Sequence, residues 1–262
     1  MVNRILLLGS KGSIGNFLFN NLSYEIIPIS RKECELADFN SVKKLLKQCK
    51  PDIVINCAAN LNRDLYNFNF AAFNENINIF LNFFNQKEYF KKFINLGSGA
   101  EFDRRYDITN KSEEEIRVAR PVDHYGLSKN LISNLCLQTE NFFTLRIFGC
   151  LGSTNNILFD KIINNENLVI EDKYFDYIYI NDLIPIINYF INHNPKIKDI
   201  NIVYKNKYTL EQIIKKFIET HNLDRRFQIS AHSNNYTGCS KRIESFDFNF
   251  LGLEEGMKNY SI

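Results

Sequence analysis

Tyr125 and Lys129, in Asp123-His-Tyr-Gly-Leu-Ser-Lys129, are the pair in this chain best suited to move a proton. On a helix, residues four apart stack on one face, phenol beside ammonium. A neighbouring ammonium favours phenolate and makes the tyrosine proton easier to move near neutral pH. The same Lys129 can bond a ribose. Ser98 follows a short apolar run and stands between Gly97 and Gly99, upstream of that helix. A hydroxyl there can hold a substrate oxygen beside Tyr125. Each feature has an ordinary alternative when taken singly: a surface helix pair, or a serine at a strand end. Their order behind a glycine-rich segment is what joins them.

That segment is Ile5-Leu-Leu-Leu-Gly-Ser-Lys-Gly-Ser-Ile-Gly15. Ile5 to Leu8 reads as a buried parallel strand broken at Gly9, and Asn16 to Leu22 continues at helical spacing. Gly9 permits the tight turn, Gly12 lets a diphosphate approach the backbone, and Gly15 lets the helix pack against the strand. Free N–H groups at the helix start then face phosphates. Gly9, Ser10, Lys11, Gly12, Ser13, Ile14 and Gly15 are therefore candidate dinucleotide contacts. A glycine-rich turn with no ligand is the competing explanation, and the strand-to-helix context speaks against it.

The elements that would position these groups follow in order. Tyr24 to Ser30 reads as the second strand, whose end faces the adenosine ribose. Ser30, Arg31 and Lys32 stand there in place of an acid, and a hydroxyl with two cations suits the extra phosphate of NADP. If these are only solvated surface charges, NAD fits as well. Glu35 and Leu36 are placed to meet the adenine edge, and Asp38 caps a helix over 41–49. Pro51 to Ala59 reads as a buried strand ending in Cys57, Ala58 and Ala59, small enough for a flat cofactor to lie on. A polar, irregular stretch over 60–69 precedes a long aromatic helix over 71–84 that carries Asn76. Strands are expected at 93–96 and 142–148, with a charged segment over 101–122 bordering a pocket and a helix over 123–137. Beyond these, a loop is expected at 149–155, helices at 156–163, 183–192 and 209–221, and strands at 167–174 and 200–204. Leu210, Ile213, Ile214 and Phe217 share one face of the helix over 209–221. The tail after it shows weaker order.

Strands alternating with helices predict an α/β fold, a doubly wound parallel sheet of Rossmann type with a small discontinuous C-terminal substrate lobe. Residues 1–262 are expected to form one folding unit. Residues 1–150 supply the dinucleotide-binding part, 151–174 and 205–262 the lobe, and 175–204 return to the sheet. With 262 residues, 45% hydrophobic and 24% charged, the chain can bury a full core. A net charge of +2 gives no sign of a nucleic-acid or membrane surface. The six cysteines show no Cys-x-x-Cys and no pairing with histidine, so neither a metal site nor a disulfide framework is expected, and a reducing cytoplasm fits. No signal peptide and no membrane-spanning run is read.

Together, Gly9-Ser-Lys-Gly12-Ser-Ile-Gly15, Ser98 and Tyr125-Gly-Leu-Ser-Lys129 resemble the extended short-chain dehydrogenase/reductases, which act on nucleotide-linked sugars as epimerases, dehydratases and reductases. Asn56-Cys-Ala-Ala59, Asn76-Ile77, Leu145-Arg146-Ile-Phe-Gly149 and Phe175-Asp-Tyr-Ile-Tyr-Ile-Asn-Asp182 resemble further family segments, so the likeness spans about residues 1 to 185. Phe175 stands where the last segment commonly has an arginine that holds the nucleotide, and the chain is short for the family. The resemblance implies that Ser98, Tyr125 and Lys129 are catalytic, with Lys129 and Asn76 also serving the cofactor. Asn60, Ser98, Gly99, Tyr125 and Arg146 would face a nucleotide-sugar substrate. It implies a homodimer paired through the helices around Asn76 and Tyr125, with Phe73, Phe80, Phe83 and Phe84 offering apolar surface or simply filling the core. Ser98 is followed by Gly99-Ala100-Glu101, without the acid pair of the dehydratases. The chain also lacks the Cys and His of double epimerases near this site, and Cys150 is read as a small buried residue. What remains is reduction of a 4-keto sugar nucleotide, as in dTDP-4-dehydrorhamnose reductase-like members that serve bacterial surface glycans, or 4-epimerisation with NAD. A cofactor-binding sensor or scaffold without turnover is the reading from another class, and it would not need the three catalytic residues.

Overall fold

The computed structural model describes residues 4–61, 68–152, 157–164 and 168–260. Four apolar residues, Ile5–Leu8, form β1, which pairs in parallel with β2 (Ile26–Ile29) on one side and β3 (Ile53–Asn56) on the other. A strand covered on both faces has no use for polar alternation, which is why all four side chains are apolar and fully buried. Ile5 and Leu7 pack with one core and Leu6 and Leu8 with another, because successive side chains point to opposite faces. Between these strands run α1 (Ser13–Asn21) and α2 (Phe39–Cys49), the latter capped by the Asp38 carboxylate, which accepts from the Ser41 N–H at 2.7 Å.

The chain continues through α3 (Phe70–Phe84), β4 (Lys92–Ser98), β5 (Ile108–Lys111) and α4 (His124–Gln138) to β6 (Phe142–Ile147) and β7 (Gly149–Leu151). Then come α5 (Ile157–Ile163), β8 (Leu168–Asp172), β9 (Tyr177–Tyr179), α6 (Leu183–Asn192) and β10 (Asp199–Ile202). The last elements are α7 (Leu210–Thr220), β11 (Phe227–His232), β12 (Tyr236–Gly238), α8 (Lys241–Glu244) and α9 (Leu253–Lys258). Six strands make one parallel sheet in the order β2-β1-β3-β4-β6-β10. The chain reverses its direction of growth between β1 and β3, and ligands of such sheets settle in the crevice that this leaves at the strand C-termini.

Beside the sheet lies a smaller core of Leu151, Phe159, Ile170, Phe217 and Met257, contributed by β7, β8, α5, α7 and α9. Three differences from the sequence-based expectation stand out. Residues 149–151, expected within a loop, form β7 and pair with β9, while 153–156 lie outside the described residues, as does 62–67 of the polar stretch. The segment over 101–122 contains β5, and the tail contains β11 and β12, which pair with β8 and β5. These strands are mostly short, and their partners lie up to about a hundred and thirty residues away. The aromatic cluster of α3 is also divided: Phe80 and Phe83 are fully buried in the core, so they supply no surface for pairing two copies.

Candidate active site

Gly9 has φ +73°, and a Cβ on it would lie 2.8 Å from the Ala58 nitrogen, so the turn after β1 sits directly on the end of β3. A Cβ on Gly15 would fall 2.2 Å from the Gly9 carbonyl oxygen, so α1 packs on the turn itself. Gly12 caps α1 without a side-chain bond, and Gly12, Ser13, Ile14 and Gly15 line a cavity of about 1140 Å³. The wall continues through Cys57, Ala59 and Leu96 to Ser98, Tyr125 and Lys129, then across to Arg104, Lys173, Phe175 and Tyr236. A helix start bare of side-chain caps, facing small residues, fits the diphosphate and flat rings of a dinucleotide.

Ser98 ends β4, a strand buried along its whole length. Its Oγ accepts from the Ala100 N–H at 3.2 Å, while the Glu101 carboxylate accepts from the Ser98 N–H at 2.8 Å. This capping box fixes the turn that presents the hydroxyl. Tyr125 lies in the first turn of α4, whose cap, Asp123, accepts from the Gly126 N–H and from Arg104 Nη2, both at 2.7 Å. Burial pushes the Tyr125 phenol up to about 12, while its hydrogen bond with Ser98 and the Arg104 guanidinium act the other way.

Lys129 departs from expectation. Its Nζ donates to the Leu96 carbonyl at 2.8 Å and lies 5.9 Å from the centre of the Tyr125 ring. Burial lowers its own pKa. The ammonium is thus bonded to the backbone of β4, and Ser98 and Arg104 are neighbours that lower the Tyr125 phenol.

Other sequence candidates are placed as follows. Arg146 is fully buried and does not reach the cavity: Nε donates to Glu101 at 2.6 Å, Nη1 to Asn201 at 3.0 Å and Nη2 to Asp199 at 3.4 Å. A substrate role is thereby replaced by a structural one, since an arginine on a central strand is tolerated only where its donors are all matched. Gly99 is covered by the Phe148 ring, 2.4 Å from where a Cβ would stand. Asn60 turns its side-chain amide to Glu75 at 2.7 Å. Asn76, also buried, grips the Asn60 backbone at 2.6 Å and donates to Ser128 Oγ at 3.2 Å, so it braces the cavity wall between α3 and α4.

At the end of β2, the Ser30 hydroxyl donates to Glu33 at 2.5 Å, and exposed Arg31 pairs with Glu75 at 3.0 Å. Lys11 and Lys32 are exposed. Glu35 bonds the Ala37 N–H, and Leu36 is core. Ser10 is buried in the turn and Ala58 N–H donates to Asn56.

Sequence reasoning missed Glu33, Glu101, Lys173 and Tyr236. Glu33 and Glu101 carried a local signal, the Ser-x-x-Glu spacing that lets the acid reach back to the serine N–H, from Ser30 and Ser98 respectively. Phe175, in place of an arginine, stacks between Tyr177 and Tyr236 at centroid distances of 4.7 and 5.2 Å. Among the described residues, no cluster of metal-ligating side chains is found and no helix is long and apolar enough to cross a membrane.

The model of the NAD dependent epimerase/dehydratase family matches residues 5–203. No curated protein matches in sequence. Among solved structures, the chain is similar to dTDP-4-dehydrorhamnose reductase from Bacillus anthracis in complex with NADP (TM-score 0.82, 16% identity, covering 99% of this chain and 98% of that one). It is also similar to UDP-glucose 4-epimerase from Thermotoga maritima with UDP-glucose (TM-score 0.79, 18% identity, 97% and 96%). GDP-L-fucose synthetase from Naegleria fowleri bound to NADP gives a TM-score of 0.79 at 15% identity, covering 98% and 90%. At these identities the likeness is one of fold.

Proposed function

The chain belongs to the NAD dependent epimerase/dehydratase family, and from that premise we propose that it reduces the 4-keto group of a 4-keto-6-deoxy or related nucleotide-linked sugar, with NADPH as reductant. The observation that carries this is a single cavity lined both by the glycine cradle and by Ser98, Tyr125 and Lys129. When bound, the nicotinamide supplies the reducing equivalent to the carbonyl carbon. Gly9, Gly12 and the first turn of α1 would hold its diphosphate, and Lys129 its ribose. The protein's own chemistry lies at the carbonyl oxygen. Ser98 Oγ orients that oxygen, and Tyr125 gives it a proton as negative charge develops there. A phenol pushed up by burial holds its proton until that moment, and Arg104 and Ser98 stabilise the phenolate left behind.

The cationic part of the cavity lining suits an anionic nucleotide. Arg104, Lys161 and Lys173 line it, and Arg104 Nε is buried without a hydrogen-bond partner. These cations take the place of the arginine that Phe175 replaces. A second reading, 4-epimerisation with retained NAD, is favoured by one observation: Glu33 and Glu75 occupy Ser30 and Arg31, the groups expected to meet the NADP phosphate. The test is NADPH oxidation with a panel of dTDP-, UDP- and GDP-linked 4-keto-6-deoxy sugars, alongside mass spectrometry of nucleotides released from purified protein. Reduction of one panel member without retained NAD supports the reductase. Stoichiometric NAD in the purified protein with interconversion of 4-epimers supports the second reading.

A further inference from the structure

Two charged side chains, Glu101 and Arg146, are sealed beneath the turn that carries Ser98, and neither is exposed at all. Arg146 Nε donates to Glu101 Oε2 at 2.6 Å. Burying an ion pair is expensive, and replacing one by apolar groups of similar volume is often neutral or stabilising. Stability alone therefore does not account for this pair, and its partners show what it holds. The other carboxylate oxygen, Oε1, accepts from the Ser98 N–H at 2.8 Å. The Glu101 main-chain carbonyl accepts from Asn130 Nδ2 at 3.0 Å, and Asn130 follows Lys129 on α4. One residue thus grips the end of β4 through its side chain and the tyrosine-bearing helix through its backbone.

Arg146 keeps the carboxylate aimed. Its guanidinium lies 5.2 Å from the centre of the Phe102 ring, the next residue after Glu101. Its Nη1 and Nη2 are anchored on β10 by Asn201 at 3.0 Å and Asp199 at 3.4 Å. The carboxylate fills the space beside Gly97, where a Cβ would stand 2.6 Å from Oε1. We propose that Glu101 is a positioning residue: aimed by Arg146, it fixes Ser98 against α4, so that the Ser98 and Tyr125 hydroxyls meet the same substrate oxygen. Glu101 takes the Ser98 N–H, and Ser98 Oγ accepts from the Ala100 N–H. The Ser98 proton is thereby left for the carbonyl oxygen, as the proposed function requires.

This rests on the function proposed above, so one arm of the experiment needs turnover and the other does not. Three variants separate holding Ser98 from filling the core. Glu101→Gln offers one oxygen and one –NH2 to two donors, and the oxygen turns to the charged Arg146. On the panel sugar reduced by wild-type protein, kcat is expected to fall about tenfold or more, with NADPH binding changed less than about twofold. Adding Arg146→Met frees the amide oxygen for the Ser98 N–H, while Asp199 keeps Arg242 at 2.5 Å. For this double variant kcat is expected to return to within about threefold of wild type. Glu101→Leu with Arg146→Met gives an apolar pair with no acceptor, and its kcat is expected to stay as low as that of Glu101→Gln. Equal kcat in the two double variants overturns the proposal. Without turnover, protein labelled with ¹⁵N-serine reports the Ser98 amide proton by NMR, its signal identified by its loss in Ser98→Ala. That signal is expected to stay close to its wild-type position in Glu101→Gln with Arg146→Met. It is expected to move upfield in Glu101→Leu with Arg146→Met, where the hydrogen bond is gone. The same position in both double variants also overturns the proposal. If wild-type protein reduces no panel member, the proposed function fails, while the amide proton still decides whether Glu101 holds Ser98.

Discussion

At the level of single residues, the site depends on a few buried polar groups whose partners are all fixed. Asp176 is the most informative. It is 5% exposed, accepts from Lys207 Nζ at 2.7 Å and from the Gly238 N–H, and burial raises its pKa to about 6 against those partners. A carboxyl that is more basic folded than unfolded binds more protons in the folded state between about pH 4 and 6, so its contribution to stability falls as pH rises through that window. Across it the loss is about 1.4 kcal/mol per unit. Urea unfolding at pH 4.5, 5.5, 7 and 8 should therefore show wild-type stability declining relative to Asp176→Asn from pH 4.5 through pH 5.5 to pH 7, then levelling. A difference that grows with pH would contradict this assignment. Ser98, Tyr125 and Lys129 were legible because a turn serine and an i, i+4 pair are local patterns. Arg146 was misplaced because nothing within a few residues announces Glu101, Asp199 and Asn201 as its partners, and those three turn it inward. Tyr236 was invisible for the same reason.

Elements explain which parts of the fold could be read in advance. The long helices and the buried strands of the main sheet carry their own periodicity, and they lie close to where the pattern puts them. β7, β9 and β12 have three residues each, too few for any period, and exist because a distant strand supplies their hydrogen bonds. The contact of α1 with the glycine turn is tested by Gly15→Ala. The added Cβ would stand 2.2 Å from a backbone oxygen, which no side-chain rotation relieves. Forcing the helix outward should cost about 1–3 kcal/mol of stability. It should also weaken NADPH binding about tenfold or more, because the first-turn N–H groups move with the helix. Thermal unfolding and a fluorescence titration with NADPH check the two effects, and wild-type-like values in both would remove the turn from the cofactor site.

For the whole molecule, the sheet and the small lobe share one cavity, and two residues tie them together. Asp182, 1% exposed, accepts from Tyr204 and from the Leu251 and Gly252 N–H groups, at 2.8 and 3.0 Å for the last two. Arg242 of α8 pairs with Asp199 at 2.5 Å on the edge strand of the sheet. We propose that two copies pair through α3 and α4, where Phe70 is 72% exposed and Leu131 41%. Leu131→Glu should then turn a dimer in sedimentation equilibrium into a monomer, and a wild-type monomer would contradict the pairing. The central claim is that Tyr125 gives the proton in a reduction at this cavity. The most direct measurement is NADPH consumption by wild-type protein and Tyr125→Phe on the same 4-keto sugar nucleotide, with NADPH binding measured for both. The account predicts unchanged NADPH binding and a kcat about a hundredfold or more lower in the variant. Equal turnover by the two proteins would contradict it.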